Sequence, residues 1–139
     1  MAFYRKVKQK GDNKWHPRAI TIGRPYTTDE VARKLSEMST VSPGDTYAVL
    51  VNLGQVLGTL MSSGRSVKLK GIGTFYYTCR SEGTGVETPE EVHPTQITGV
   101  QIRFIPEYAR GQRGQVTERT LIDAYTEWVD IDKNQEETL

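Results

Sequence analysis

Residues 27–64, TTDEVARKLSEMSTVSPGDTYAVLVNLGQVLGTLMSSG, carry two helices and the break between them. Thr27 and Glu30 stand at the T-x-x-E spacing of a capping box, in which each side chain satisfies the other residue's backbone N–H. A first helix is expected over 28–38, with Val31, Leu35 and Met38 recurring on one face and Arg33, Lys34 and Glu37 left to solvent. Pro43 and Gly44 interrupt it, and Asp45 is placed to cap a second helix that runs to about Ser63 and ends at Gly64. The apolar residues of the second helix, Val49, Leu50, Leu53, Val56, Leu57, Leu60 and Met61, are too widely spread for one stripe, so it must be covered on more than one side. Asn52 and Gln55 argue against a membrane span, and Gly54 and Gly58 mark close backbone approach between packed helices.

Beyond Gly64 the period changes from helical to alternating. Val67 and Leu69 alternate with Lys68 and Lys70, which predicts a half-buried strand over 66–70. The turn Gly71-Ile72-Gly73 leads into a second strand over 74–80, and Val100, Ile102 and Phe104 alternate with Gln101 and Arg103 in a third over 99–105. Between them EGTGVETPEEVHPTQ has almost no large apolar residue and is expected to project as an arm over about 81–97. Leu121, Ile122, Tyr125 and Trp128 predict an amphipathic helix over about 116–129, with Trp128 on its core side, followed by a frayed DKNQEETL tail. Towards the N-terminus, 3–9 and 18–22 are expected as strands around the polar loop GDNKWH, with Trp15 a packing anchor. Three segments result: a basic N-terminal strand region over 1–25, a central domain over 26–113, and a helix with acidic tail over 114–139.

The 139 residues suit one compact domain with appendages, and a 36% hydrophobic content gives it material to pack. No apolar stretch has the length of a secretory signal or a membrane span, so a cytoplasmic location is the expectation. Cys79 is the single cysteine, which excludes an internal disulfide and predicts a buried strand residue. The net charge of +1 hides a gradient: residues 1–24 carry +6, residues 80–99 carry −3 and residues 115–139 carry −5.

Catalytic signatures are missing. The chain has no G-x-S-x-G, H-E-x-x-H or Walker loop, and Tyr76 occupies the place of the third glycine in a dinucleotide fingerprint starting at Gly71. Adjacent Glu90 and Glu91 on a projecting segment lack the cleft that a catalytic carboxylate pair needs. Two histidines and one cysteine make no zinc set. The expectation is a non-enzyme with no cofactor, metal or small-molecule substrate.

The order helix, helix, two strands, arm, strand resembles the bacterial HU/IHF histone-like family. Gly71-Ile72-Gly73-Thr74-Phe75 is similar to that family's G-F-G-x-F turn, and Phe104-Ile105-Pro106 to the F-x-P that closes its arm. The chain looks closer still to a divergent HU-related branch with an extra N-terminal strand region and a G-x-E-x-x-E-E arm, here Gly85, Glu87, Glu90 and Glu91. The resemblance implies an α+β fold, two helices on a small antiparallel sheet with a projecting β-arm, built as an intertwined homodimer. It also implies non-sequence-specific binding of double-stranded DNA by a nucleoid-associated protein. Carried over residue by residue, the basic saddle is Lys68, Lys70 and Arg103, with Arg80 at the arm base, Arg110 and Arg113 beyond Pro106, and Pro89 near the arm tip as a wedge for DNA bending.

The arm differs from the basic arms of that family, because Glu82, Glu87, Glu90 and Glu91 stand where phosphates would approach. Arg5, Lys6, Lys8, Lys10, Lys14 and Arg18 are then candidates for additional phosphate contacts. Blander roles stand beside these: a solvated strand face for Lys68, Lys70 and Arg103, a lysine-protected edge strand for the N-terminal run, and a turn proline for Pro89. The competing function is an HU-scaffold interaction or assembly module that has lost DNA binding.

Overall fold

The computed structural model describes residues 1–133, so the end of the acidic tail, 134–139, lies outside the described residues. The capping box forms as expected: the Thr27 backbone N–H donates to Glu30 Oε2 at 2.7 Å, and the Glu30 N–H donates to Thr27 Oγ1 at 3.3 Å. Helix α1 spans Thr28–Glu37, with Asp29 and Arg33 paired at 3.3 Å one turn apart. Helix α2 starts earlier than expected, at Pro43, and spans Pro43–Met61. Its N-cap is Ser42, whose hydroxyl oxygen accepts from the Asp45 N–H at 3.2 Å, so Asp45 belongs to the first turn. The physical reason is Pro43, whose fixed φ and missing N–H suit the first helical position. Gly64, at φ +90°, closes the helix by donating to the Met61 carbonyl.

Residues 27–122 form one compact unit. After α2, strands β3 (Val67–Leu69), β4 (Gly73–Ser81) and β5 (Ile97–Pro106) make an antiparallel sheet in that order. Tyr77 reaches α2 and donates its hydroxyl to the Gly58 carbonyl at 3.3 Å, and a Cβ on Gly58 would stand in ordinary contact with that hydroxyl, 3.7 Å away. Gly54, by contrast, has open space around it rather than a packed neighbour. Gly73 is the tightest point of the sheet. At φ +150° a Cβ would run into the Ile105 carbonyl and come within 2.8 Å of the Phe104 ring. Phe75 and Phe104 pack across β4 and β5 with centroids 4.7 Å apart.

The pairing of β4 with β5 runs out to Ser81 and Ile97 with a register shift at Arg80/Ser81. Beyond it, 82–96 is not a β-ribbon but a loop carrying two one-turn 3-10 helices, Pro89–Glu91 and Pro94–Gln96. The expected strand pairing stops because the segment supplies prolines and glycines where a ladder needs donors and β-formers.

The expected C-terminal helix is absent. Val116–Arg119 is strand β7, paired with β6 (Tyr108–Arg110), and Trp128–Asp130 is strand β8. Tertiary bonds override the helical spacing, since Thr120 Oγ1 donates to Glu107 Oε2 at 2.8 Å and β8 pairs with a strand at the other end of the chain, while a local turn, in which Asp123 Oδ1 accepts from the Tyr125 N–H at 2.9 Å, competes with the helix. Leu121, Ile122, Tyr125 and Trp128 are accordingly exposed rather than lining a helix core.

A second compact unit joins residues 1–26 to 123–133 among the described residues. Strands β1 (Ala2–Lys8) and β2 (Trp15–Ile20) form an antiparallel hairpin, and β8 adds parallel to β1, giving the order β2–β1–β8. Trp15 opens β2 and is 68% exposed, not an anchor of the polar loop.

Buried apolar side chains are few. Among the described residues only Ala32 and Met61 fall in that class, while Val49, Val51, Val56 and Leu60 of α2 remain 48–64% exposed. Cys79 lies on β4 as expected but is exposed, because its partner Val100 and the neighbouring Ile102 are bare too. No helix among the described residues is long and apolar enough to cross a membrane.

Candidate nucleic-acid interface

Strand alternation sorts the β3–β4–β5 sheet into two faces. The register pairs Val67 with Phe75 and Phe75 with Phe104, then Tyr77 with Ile102 and Cys79 with Val100, so these residues share the apolar face from which Tyr77 meets α2. The other face carries Lys68 opposite Thr74, Tyr76 opposite Arg103, Thr78 opposite Gln101, and Arg80 opposite Gly99. Lys68 and Arg103 of the expected saddle are therefore on one face of one sheet together with Arg80, expected at the arm base. Each comes from a different strand.

The local chemistry keeps these cations presented. Gly99 leaves room for the Arg80 guanidinium, which lies 3.5 Å from where a Cβ would stand. Among the described residues the Arg103 guanidinium donates only to the Gln101 amide oxygen, at 3.4 Å. Among the described residues no carboxylate forms an ion pair with Lys68, Arg80 or Arg103. Thr78, between them, has a covered hydroxyl with no hydrogen-bond partner.

Lys70 lies in the turn after β3, beside a carboxylate that sequence reasoning missed. Glu107 accepts from the Gly71 N–H at 2.9 Å and from Thr120 Oγ1, while its own N–H donates to the Ile72 carbonyl. The Thr120 hydroxyl first, then the Gly71 N–H, with Lys68 and Lys70 nearby, hold its carboxyl below the usual carboxylate range. Glu107 thus pins the glycine turn that brings Lys68 and Lys70 round to the sheet. Its position immediately after the closing Pro106 was the available signal.

Arg110 and Arg113 fare differently. Arg110 folds back on its own hairpin, donating to the Gly114 carbonyl at 2.7 Å and to the Tyr108 hydroxyl at 3.3 Å, with its guanidinium 4.8 Å from the Tyr108 ring centre. That hydrogen bond and charge, with Lys68 and Arg119 adding to them, push the Tyr108 hydroxyl below its ordinary pKa. Arg119, opposite Tyr108 on β7, is a further cation near Lys68 that the helical expectation concealed. Arg113 lies in the β6–β7 turn. Pro89 is the first residue of a 3-10 turn that also contains Glu90 and Glu91.

The N-terminal cations sit on the other unit. Lys6 pairs with Asp130 at 3.3 Å and Arg5 approaches Asp132 at 4.0 Å, so the acidic end of the described chain neutralises part of the basic run. Asp130, whose side chain is 5% exposed, raises the Lys6 pKa through its hydrogen bond and charge. Lys8 and Arg18 lie on β1 and β2, and Lys10 and Lys14 in the loop between them.

A capped helix pair feeding a three-stranded sheet with one apolar and one basic face defines an α+β protein of the HU kind. The family model HU-HIG, described as an HU domain fused to wHTH, Ig or glycine-rich motifs, matches residues 2–118, and the chain belongs to that family. Its fold is similar to a candidate bacterial DNA-binding protein from Bacteroides vulgatus ATCC 8482, with a TM-score of 0.53 and 13% identity over 75% of this chain. The chain spans 40% of that protein's length. HU from Anabaena, crystallised with DNA, is similar at a TM-score of 0.38 and 23% identity, covering 63% of this chain and 90% of its own. No curated protein matches the chain.

Proposed function

We propose that this protein binds double-stranded DNA without sequence preference, as a homodimer associated with the cytoplasmic nucleoid. The observation that carries the reading is the basic face of the β3–β4–β5 sheet, on which Lys68, Arg80 and Arg103 form no ion pair among the described residues, with Lys70 at its edge. Cations spaced on a sheet meet phosphates and displace their counterions without sampling base edges. Arg110 contributes by shaping the β6–β7 hairpin, and Arg113 and Arg119 extend the positive surface. A gel-shift or anisotropy titration with unrelated duplexes should show affinities that are alike between sequences and fall steeply with salt. Absence of binding at low salt would remove this reading.

The dimer is supported by apolar surface that one chain leaves bare. Val49, Val51, Val56 and Leu60 on α2 and Val100 and Ile102 on β5 are all 48–64% exposed, an arrangement that a second copy would cover. Sedimentation should give twice 15.7 kDa, and a monodisperse monomer would sink the interlocked dimer.

Bending is modest in this reading, because Glu90 and Glu91 flank Pro89 and oppose entry into a groove of negative potential. The same acidic segment favours the competing interaction module, which the low-salt titration separates from DNA binding.

A further inference from the structure

The chain has two tryptophans, and both lie on one face of the β2–β1–β8 sheet. The register sets Trp15 opposite Lys8, Pro17 opposite Lys6 and Ala19 opposite Tyr4, while Trp128 lies beside Ala2 and Asp130 beside Tyr4. Alternation puts all of these side chains on the same side. Tyr4, Lys6, Trp15, Pro17, Ala19 and Trp128 of this face, together with His16, line an open trough of about 730 Å³. Trp15 is 68% exposed and Trp128 57%, so two large π faces stand in water.

The charge around the trough identifies the chemistry of its occupant. Lys8 lies next to Trp15 on the same face, and Lys10 and Lys14 occupy the adjoining turn; among the described residues none of the three is in an ion pair. The acidic groups nearby are already engaged: Asp130 holds Lys6, and Asp12 accepts from the Lys14 N–H and bonds His16. Aromatic faces interleaved with uncommitted cations are what a strand of unpaired nucleotides requires, bases on the rings and phosphates on the lysines. A glycan or a proline-rich peptide uses the rings but has no need of the cations. A duplex offers the phosphates but hides its base faces. Six residue steps separate the Ala2 row from the Lys8 row, about 20 Å at the strand rise, a length for several nucleotides rather than one.

We propose that this face binds single-stranded nucleic acid, stacking unpaired bases on Trp15, Tyr4 and Trp128 while Lys8, Lys10 and Lys14 contact phosphates. The site is separate from the basic face of the β3–β4–β5 sheet, and its failure leaves the duplex-binding reading standing.

Because no tryptophan lies elsewhere, intrinsic emission reports on this face alone. Titrating the full chain with a twelve-residue oligo-dT at low salt should quench the emission saturably. Trp15→Ala and Trp128→Ala should each weaken oligo-dT binding about tenfold, measured by anisotropy of a labelled oligonucleotide. Trp15→Tyr should restore most of the loss, which separates stacking from misfolding. The Ala variants should leave duplex affinity unchanged. Unaltered emission with oligo-dT overturns the proposal, as does quenching by a proline-rich peptide or a soluble glycan in its place. Emission that changes with protein concentration alone assigns the face to a second copy and overturns it too.

Discussion

The two basic surfaces of this chain are built on three-stranded sheets of similar size, yet their cations are in different states. On the β2–β1–β8 sheet the richest positive run in the sequence is partly spent: Asp130 and Asp132 reach Lys6 and Arg5. On the β3–β4–β5 sheet fewer cations are present, but Lys68, Arg80 and Arg103 are in no ion pair among the described residues, although Glu107 lies near Lys68. Segment charge and unpaired charge therefore rank the two surfaces differently. What differs is whether the fold brings an acid into an ion pair with the base, as Asp130 and Asp132 do for Lys6 and Arg5.

The harshest way to break the comparison is at Gly73. Gly73→Ala forces a Cβ onto the Ile105 carbonyl and should cost roughly 3 kcal/mol, seen as a lower melting temperature together with loss of duplex binding. The next largest effect is expected from removing the cations while keeping the sheet. Lys68→Ala, Arg80→Ala and Arg103→Ala combined should flatten the dependence of log affinity on log salt by about 3. If deletion of residues 1–24 abolishes duplex binding and the triple variant does not, the ranking of the two surfaces is reversed.

A smaller effect concerns acid. The Glu107 carboxyl is held below its ordinary value of 4.5, so its contribution is present above that pH and is lost as pH falls through the lower folded value. Glu107→Gln should reduce stability at neutral pH and narrow its gap to the parent protein in melts taken progressively further below pH 4.5. A gap that stays constant with pH would exclude the carboxylate as the pin of the Gly71 turn. The smallest change is expected in the arm: Glu87→Gln, Glu90→Gln and Glu91→Gln together should tighten duplex binding a few-fold at low salt and not at high salt.

Much of this architecture was legible because its determinants are local. The Thr27–Glu30 box, the Gly64 cap and the alternation of 67–69 and 100–104 each report on a few neighbouring residues, and the structure follows them. The same alternation, once strands were assigned, put Lys68, Arg80 and Arg103 on one face. The helix expected over 116–129 shows where local reading fails. Leu121, Ile122, Tyr125 and Trp128 have helical spacing, but Thr120 is tied to Glu107 and Trp128–Asp130 to β1, partners no local window contains. The Lys6–Asp130 pair was invisible for the same reason, as was the shared face of Trp15 and Trp128.

The parallel pairing of β8 with β1 also has a consequence in time. Residues 27–122 form a continuous unit, whereas the sheet holding the N-terminus lacks its third strand until residue 130 has been made. At ribosomal speed that delay is on the order of ten seconds, during which β1 and β2 are a bare hairpin of marginal stability. Of these two units the one begun first is completed second, and any chain that stops short of Trp128 would leave β1 and β2 without their third strand.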